Sequence, residues 1–286
     1  MSIQHFRVAL IPFFAAFCLP VFAHPETLVA VRDVEQQYSA RVGVHVRDLR
    51  TGATLESYRP DDRFPLASTF KVLACGALLR DADAGDADLD AVVRWEASEV
   101  VENSPITEER VGTGLSLRQA AEAALTRSDN TAGNVVLRQI GGPAGLTRFL
   151  RDLGDRTTRL DRWETDLNEA TPDDRRDTTT PRALTATLEA LLTGRALTPP
   201  DRARLTDWMA ANAVSGPLFR SGLPDGWTIA DRSGAGGRGT RGIAAVVWTD
   251  DGRPLLISVL TTRTDPALPS DNALVARTAT ALVKHW

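Results

Sequence analysis

The chain has 286 residues, 43% of them hydrophobic, with 33 basic and 37 acidic side chains and a formal net charge of −4. Nothing in that balance favours nucleic acid or an anionic membrane surface as a partner. His24, His45 and His285 lie far apart with no metal-ligand spacing, which argues against a zinc hydrolase. In chain order, residues 1–23 read as a secretory signal: Arg7 is the only formal charge, Val8 to Leu19 are mostly apolar, and Val21-Phe22-Ala23 is an A-x-A-like cleavage site. The apolar run is too short for a bilayer span and is interrupted by Pro12 and Pro20. The expectation is therefore a soluble, periplasmic chain beginning at His24, with no membrane anchor. Cleavage removes one basic residue and leaves 32 against 37 acidic, about −5. Cys18 leaves too, so Cys75 is unpaired and a core must stabilise the remaining 263 residues (286 − 23).

Residues 26–40 carry a helical pattern, and the alternation Val42-Gly43-Val44-His45-Val46 before Arg50-Thr51-Gly52 predicts a strand and hairpin. The middle is helical. An apolar segment runs from Ser68 to Leu79, and the capping-box pattern Ser116-Leu117-Arg118-Gln119 opens an alanine-rich helix to Leu125. Helices over 131–140 and 143–153 are stopped by Gly141-Gly142 and Gly154. Residues 155–180 hold five arginines, many acids and little periodicity, and read as a long surface loop, which is uncommon unless functional. Thr180-Pro181 begins another helix, and 201–211 form a further one. Beyond residue 226 strands are predicted over 227–232, 243–249 and 255–261, the last two joined by Asp250-Asp251-Gly252, before a closing helix over 272–286. Strands at both ends with helices between imply an α/β subdomain built from the two termini and an all-helical insertion.

The chemistry begins with an imbalance: of the 33 basic residues only Lys71 and Lys284 are lysine. Arginine keeps its proton at physiological pH, whereas a desolvated lysine can lose it and relay protons. Lys71 stands three residues after Ser68, one helical turn on, so hydroxyl and amine can share a face and a hydrogen bond. Sixty residues later comes Ser128-Asp129-Asn130 at a predicted helix start, and Arg232-Ser233-Gly234 closes a predicted strand before Ala235-Gly236-Gly237. Alone, each has an ordinary structural reading as a helix cap or strand-end turn. Together and in this order they form the set found in class A β-lactamases and penicillin-binding proteins.

On those motifs the chain resembles a class A serine β-lactamase over essentially its whole length. The signal with His24-Pro25-Glu26-Thr27-Leu28 and the tail Leu282-Val283-Lys284-His285-Trp286 look like TEM-type enzymes, whereas the Arg-Ser-Gly triplet looks more like the carbenicillin-hydrolysing branch. In the long loop Glu164-Thr165-Asp166-Leu167-Asn168 matches the family's Glu-x-x-Leu-Asn, which separates hydrolase from transpeptidase. The resemblance implies an α+β fold in α/β/α layers. Its antiparallel sheet, flanked by helices, comes from 24–66 and 212–286, and the all-helical subdomain over 67–211 includes an active-site loop at 159–177. It further implies a small-molecule β-lactam of the penicillin type as substrate, no cofactor or metal, and a monomer.

Carried over residue by residue, the resemblance makes Ser68 the nucleophile that opens the strained amide through an ester. Lys71 takes part in moving its proton; whether Lys71 or Glu164 through a water is the acylation base stays open. Ser128 would return a proton to the leaving nitrogen, Asn130 would bind the acylamino side chain, and Asp129 would brace the turn. The backbone N–H groups of Ser68 and Ala235 would form the oxyanion hole, and Glu164 and Asn168 would hold the hydrolytic water. Arg162 and Asp177 are expected to pair across the neck of the loop. Arg232, Ser233 and Arg241, with Gly234 in the same stretch, would receive the substrate carboxylate, Arg232 supplying fixed charge and favouring penicillins with a second carboxylate.

Departures from the family pattern also carry expectations. Asn103 stands where relatives place an aromatic gatekeeper, implying a more open rim. Ala121 replaces the second cysteine of the TEM-type disulfide and leaves Cys75 an inert core residue. Thr165 follows Glu164 where proline is common, and Gly236 gives no sign of extended-spectrum change. A penicillin-binding transpeptidase or carboxypeptidase and a non-catalytic β-lactam sensor are the competing readings; Glu164, Asn168 and the missing anchor weigh against both. A general serine esterase would need a Gly-x-Ser-x-Gly elbow, which is absent.

Overall fold

The structure, a computed structural model, describes residues 24–284 and 286, so the expected signal at 1–23 and His285 lie outside the described residues. Helix α1 (Pro25–Gln37) leads into strands β1 (Ala40–Asp48) and β2 (Thr54–Tyr58). A two-residue strand, β3 (Phe64–Pro65), precedes a 3-10 turn at Ala67–Thr69 that runs straight into α2 (Phe70–Ala84). Short strands β4 (Val92–Val93) and β5 (Leu115–Ser116) pair ahead of α3 (Leu117–Thr126), α4 (Asn130–Gln139) and α5 (Gly142–Asp152). After the long loop come β6 (Thr178–Thr179), α6 (Pro181–Leu192) and α7 (Pro199–Ala210). The chain closes with β7 (Thr228–Gly236), β8 (Thr240–Trp248), β9 (Pro254–Arg263) and α8 (Asn272–Val283).

The five long strands form one antiparallel sheet in the order β2-β1-β9-β8-β7, with Val44 and Ile243 both opposite Val259. Because strand side chains alternate between faces, each strand feeds two cores. Val42, Val44, Val46, Ile257 and Val259 pack with α1 and α8, whereas Ala244, Val246, Leu256 and Leu260 join the core of the central helices. The outcome is the expected α+β architecture in α/β/α layers. With both faces covered, β8 and β9 read as near-continuous apolar runs rather than as alternation. Helix α2 is buried on every side from Phe70 to Leu79, which makes it the axis of the helical region.

Several local expectations are realised atom by atom. Ser116 and Gln119 complete the capping box of α3, and Asp129 caps α4 by accepting from Ala132 N at 2.8 Å. Two expectations are corrected. Strand β7 extends past Arg232 because Ser233, Gly234, Ala235 and Gly236 pair with Ile243, Gly242, Arg241 and Thr240. These residues are weak strand formers, so the neighbouring strand, not propensity, holds them. Nor is 155–180 simply a surface loop: Thr158, Leu160, Glu164, Leu167 and 177–180 are buried. Among the described residues no helix is long and apolar enough to cross a membrane.

Candidate active site

Ser68 sits on the 3-10 turn and Lys71 on the first turn of α2, with Lys71 Nζ 3.2 Å from Ser68 Oγ. Both side chains are buried. Lys71 Nζ donates to Asn130 Oδ1 at 2.6 Å and to the Ser128 carbonyl at 3.0 Å, and lies 3.1 Å from Glu164 Oε1. Burial pulls the Lys71 ammonium down to about 8, while the Glu164 charge opposes that fall. Asn130 Oδ1 and the carbonyl can only accept, so they hold two N–H groups of either protonation state. The ammonium has a third N–H for Glu164; the neutral amine has instead a lone pair to offer Ser68. The same scaffold therefore accommodates both forms.

Ser128 lies on the opposite side, its Oγ 3.3 Å from Ser68 Oγ. Around the nucleophile, Ser128, Asn103 and Ala67 adopt positive φ (58°, 61° and 41°), a strain on the order of 1 kcal/mol each. Asp129 accepts from Ile106 N and Thr107 N at 2.9 Å and from Thr107 Oγ1 at 2.7 Å, the bracing expected of it. Asn103 donates to the Ser128 carbonyl at 3.1 Å, and Asn130 Nδ2 donates to the Glu102 carbonyl at 2.8 Å. Arg232 is fully buried and directs Nε to Ser68 O and Nη1 to Leu125 O, each at 3.2 Å, and Nη2 to Ser128 Oγ. Burial lowers its guanidinium to about 10, opposed by Asp231 and Glu164.

The loop enters between these walls. Arg162 Nε pairs with Asp177 Oδ2 at 2.6 Å, and Asp177 also accepts from Asp161 N at 2.7 Å, so the neck is closed as expected. The Glu164–Thr165 peptide is cis. Asn168 Nδ2 donates to Glu164 Oε2 at 2.6 Å, and Glu164 Oε1 is 3.5 Å from Ser68 Oγ. Asn168 Oδ1 is buried with no hydrogen-bond partner among the described residues. Sequence reasoning missed Asn134 on α4: its amide accepts from Glu164 N at 3.0 Å and donates to Glu164 O at 3.1 Å. An asparagine in the body of a helix gives no signal that separates such a clasp from a solvated position.

A groove of about 590 Å³ opens over Ser68, bordered by Ser128, Asn130, Asn168 and the strand from Arg232 to Gly236. Gly234 eases this: a Cβ there would lie 3.1 Å from both Leu66 O and Ser68 N, so any larger residue would push β7 a few tenths of an ångström away from the nucleophile's turn. Ala235 is exposed to the groove, and Ser233 is buried beside it. Arg241 donates from Nε to Asn272 Oδ1 at 3.0 Å, and burial holds its guanidinium below the ordinary range. Neither Arg232 nor Arg241 forms a salt bridge among the described residues. Cys75 is buried on α2 with its thiol directed at the Ala121 carbonyl, and burial pushes that thiol up to about 12.

Known proteins share this fold and much of this sequence. A family model described as the Beta-lactamase enzyme family matches residues 28–286. Beta-lactamase FAR-1 of Nocardia farcinica is 50% identical over 250 residues, covering 87% of this chain and 80% of that protein. The chromosome-encoded beta-lactamase of Vibrio parahaemolyticus superposes with a TM-score of 0.87 at 46% identity, over 91% of this chain and 98% of that one. The class A beta-lactamase of the last common ancestor of Gram-negative bacteria superposes at 0.87 with 42% identity, over the same shares of 91% and 98%. The chain belongs to the β-lactamase enzyme family and within it to class A, and it is an enzyme that hydrolyses β-lactams.

Proposed function

We propose that the protein hydrolyses penicillins, carbenicillin among them, through an ester on Ser68, and so confers resistance to these antibiotics. Ser68 Oγ attacks the lactam carbonyl while its proton passes to Lys71 or, through a water, to Glu164. The ring C–N bond breaks and Ser128 delivers a proton to the nitrogen. Backbone N–H groups of Ser68 and Ala235 stabilise the developing oxyanion. A water held by Glu164 and Asn168 then attacks the ester, Glu164 takes its proton, and that proton passes back to the departing Ser68 oxygen directly or by way of Lys71, which restores the starting state.

The observation that carries this reading is the meeting of Ser68 Oγ, Lys71 Nζ and Glu164 Oε1 within 3.5 Å, beside an unpartnered acceptor on Asn168. Arg241 and Ser233 serve as receivers of the substrate carboxylate, and Asn130 as a receiver of the acylamino group. Arg232 adds positive charge behind Ser128, since its donors go mainly to the protein. Two guanidiniums without a salt bridge along one wall support a preference for dianionic penicillins; an unchanged carbenicillin-to-benzylpenicillin ratio in Arg232→Lys would refute it. The same proposal makes the protein a periplasmic monomer whose residues 1–23 are removed, divided at 24–66 with 212–286 and 67–211.

The test is carbenicillin in excess over purified protein, followed by loss of lactam absorbance. Turnover through many equivalents is expected. A stop near one equivalent would turn the reading to a sensor or penicillin-binding protein.

A further inference from the structure

A second hollow, of about 670 Å³, lies between residues 170–178 of the loop, Arg41 at the start of β1 and Thr262–Thr264 at the end of β9. None of the residues that line it borders the catalytic groove. Seven arginines and four aspartates line it, in a chain whose net charge is −4. Three of the aspartates are engaged: Asp62 with Arg41 at 3.0 Å, Asp177 with Arg162 at 2.6 Å and Asp174 with Arg176 at 2.6 Å. Against the remaining Asp173, which is exposed, stand Arg63, Arg175, Arg238 and Arg263.

Among the described residues those four guanidiniums lack close anionic partners. Arg63 donates to the neutral Thr178 Oγ1 at 2.9 Å, and neither it, Arg175 nor Arg238 forms a salt bridge among the described residues. Arg263 is only 11% exposed; its Nη1 is 3.9 Å from Asp271, and Nε and Nη1 are buried without a hydrogen-bond partner. Burial and then the neighbouring arginines 175, 159 and 151 hold the Arg63 guanidinium below its ordinary range. Crowded cations with little counter-charge, of which Arg63 and Arg263 are also partly desolvated, are unfavourable, and an anion seated among them would relieve that cost. Guanidinium forks match phosphate and carboxylate oxygens two at a time, and the volume lies in the range of small-molecule sites.

We propose that this cavity binds a compact, multiply charged oxyanion, phosphate- or carboxylate-bearing, held by Arg63, Arg238 and Arg263 from the frame and by Arg175 from the loop. Because the ligand joins loop to frame, its binding stabilises the folded state by mass action and restrains the segment that carries Glu164.

The experiment titrates pyrophosphate and, separately, citrate into the purified protein at fixed ionic strength, read by calorimetry and by thermal unfolding. Saturable binding with a dissociation constant on the order of 1 mM or tighter is expected, with a matching rise in Tm. Binding of pyrophosphate alone assigns a phosphate ligand, and binding of citrate alone assigns a polycarboxylate. Arg63→Gln and Arg263→Gln should each weaken binding about tenfold, and Arg241→Gln, in the catalytic groove, should leave it intact. Absence of saturable binding by either anion overturns the proposal. So does binding lost in Arg241→Gln but kept in the cavity variants. Should a cavity variant fail to fold, the half-buried Arg238→Gln carries the same test.

Discussion

Lys71 and Arg232 flank the Ser68–Ser128 pair from opposite walls, and burial lowers both, to about 8 and to about 10. Equal burial does not give them equal chemistry. The lysine wall, made by α2, α4 and the loop, surrounds a small ammonium with acceptors that tolerate loss of one proton. The arginine wall, on β7, fixes a planar fork on two carbonyl oxygens and the Ser128 hydroxyl. One wall is suited to moving a proton, the other to holding a charge still.

The largest expected effect removes the lysine wall's counter-charge: Glu164→Gln should slow deacylation by about 10³-fold or more and trap the acyl-enzyme, visible as added mass on the intact protein. A swap of cation types tests the contrast itself. Lys71→Arg should lower kcat/KM about 10²-fold or more, whereas Arg232→Lys should stay within about tenfold; equal losses would break the comparison. In the wild type a limb near pH 8 is expected in kcat/KM, absent from Lys71→Arg. If neutral Lys71 is the base, the limb rises with pH. If the ammonium must persist beside Glu164, it falls.

Smaller effects sharpen the picture. Arg162→Ser, which opens the loop's neck and leaves the buried Asp177 without its cation, should slow deacylation about tenfold, out of proportion to its loss of stability; equal loss of both would reduce the pair to a stability element. His45 shows burial acting away from the groove: both ring nitrogens lack partners among the described residues, and burial lowers it from 6.5 to about 4. Its folded pKa lies below the unfolded value, so its protonation favours unfolding, and stability falls as pH drops from 6.5 toward 4. By pH 5.5 the loss is roughly 1 kcal/mol, which His45→Leu should abolish in a comparison of urea midpoints.

Much of this was legible in advance. Helix starts with side-chain caps, such as Ser116 and Asp129, announce themselves locally, and the motif order pointed to residues that the structure brings together. What stayed hidden depends on partners distant in sequence. Strand β7 beyond Arg232 exists because β8 lies beside it, and the buried side of the loop exists because Asp177 gathers the backbone at 161–162. The Arg232 fork ends on the carbonyls of Ser68 and Leu125, acceptors that every residue possesses and no motif marks. Asn134 was hidden for a related reason, since its partner is the backbone of Glu164.

The placement of β1 has a consequence for how the chain is made. This strand lies between β2, its neighbour in sequence, and β9, and just beyond the β1–β9 pairing Thr264 donates to the Ser39 carbonyl across 225 residues of chain. A two-stranded hairpin alone is marginal in water, so the sheet cannot close until synthesis has nearly finished. The frame is thus the last part to acquire stability, and the growing polypeptide remains open along one strand edge through most of its production. An open chain can be threaded through a narrow pore, and the same edge is exposed to unwanted pairing until its final partner arrives.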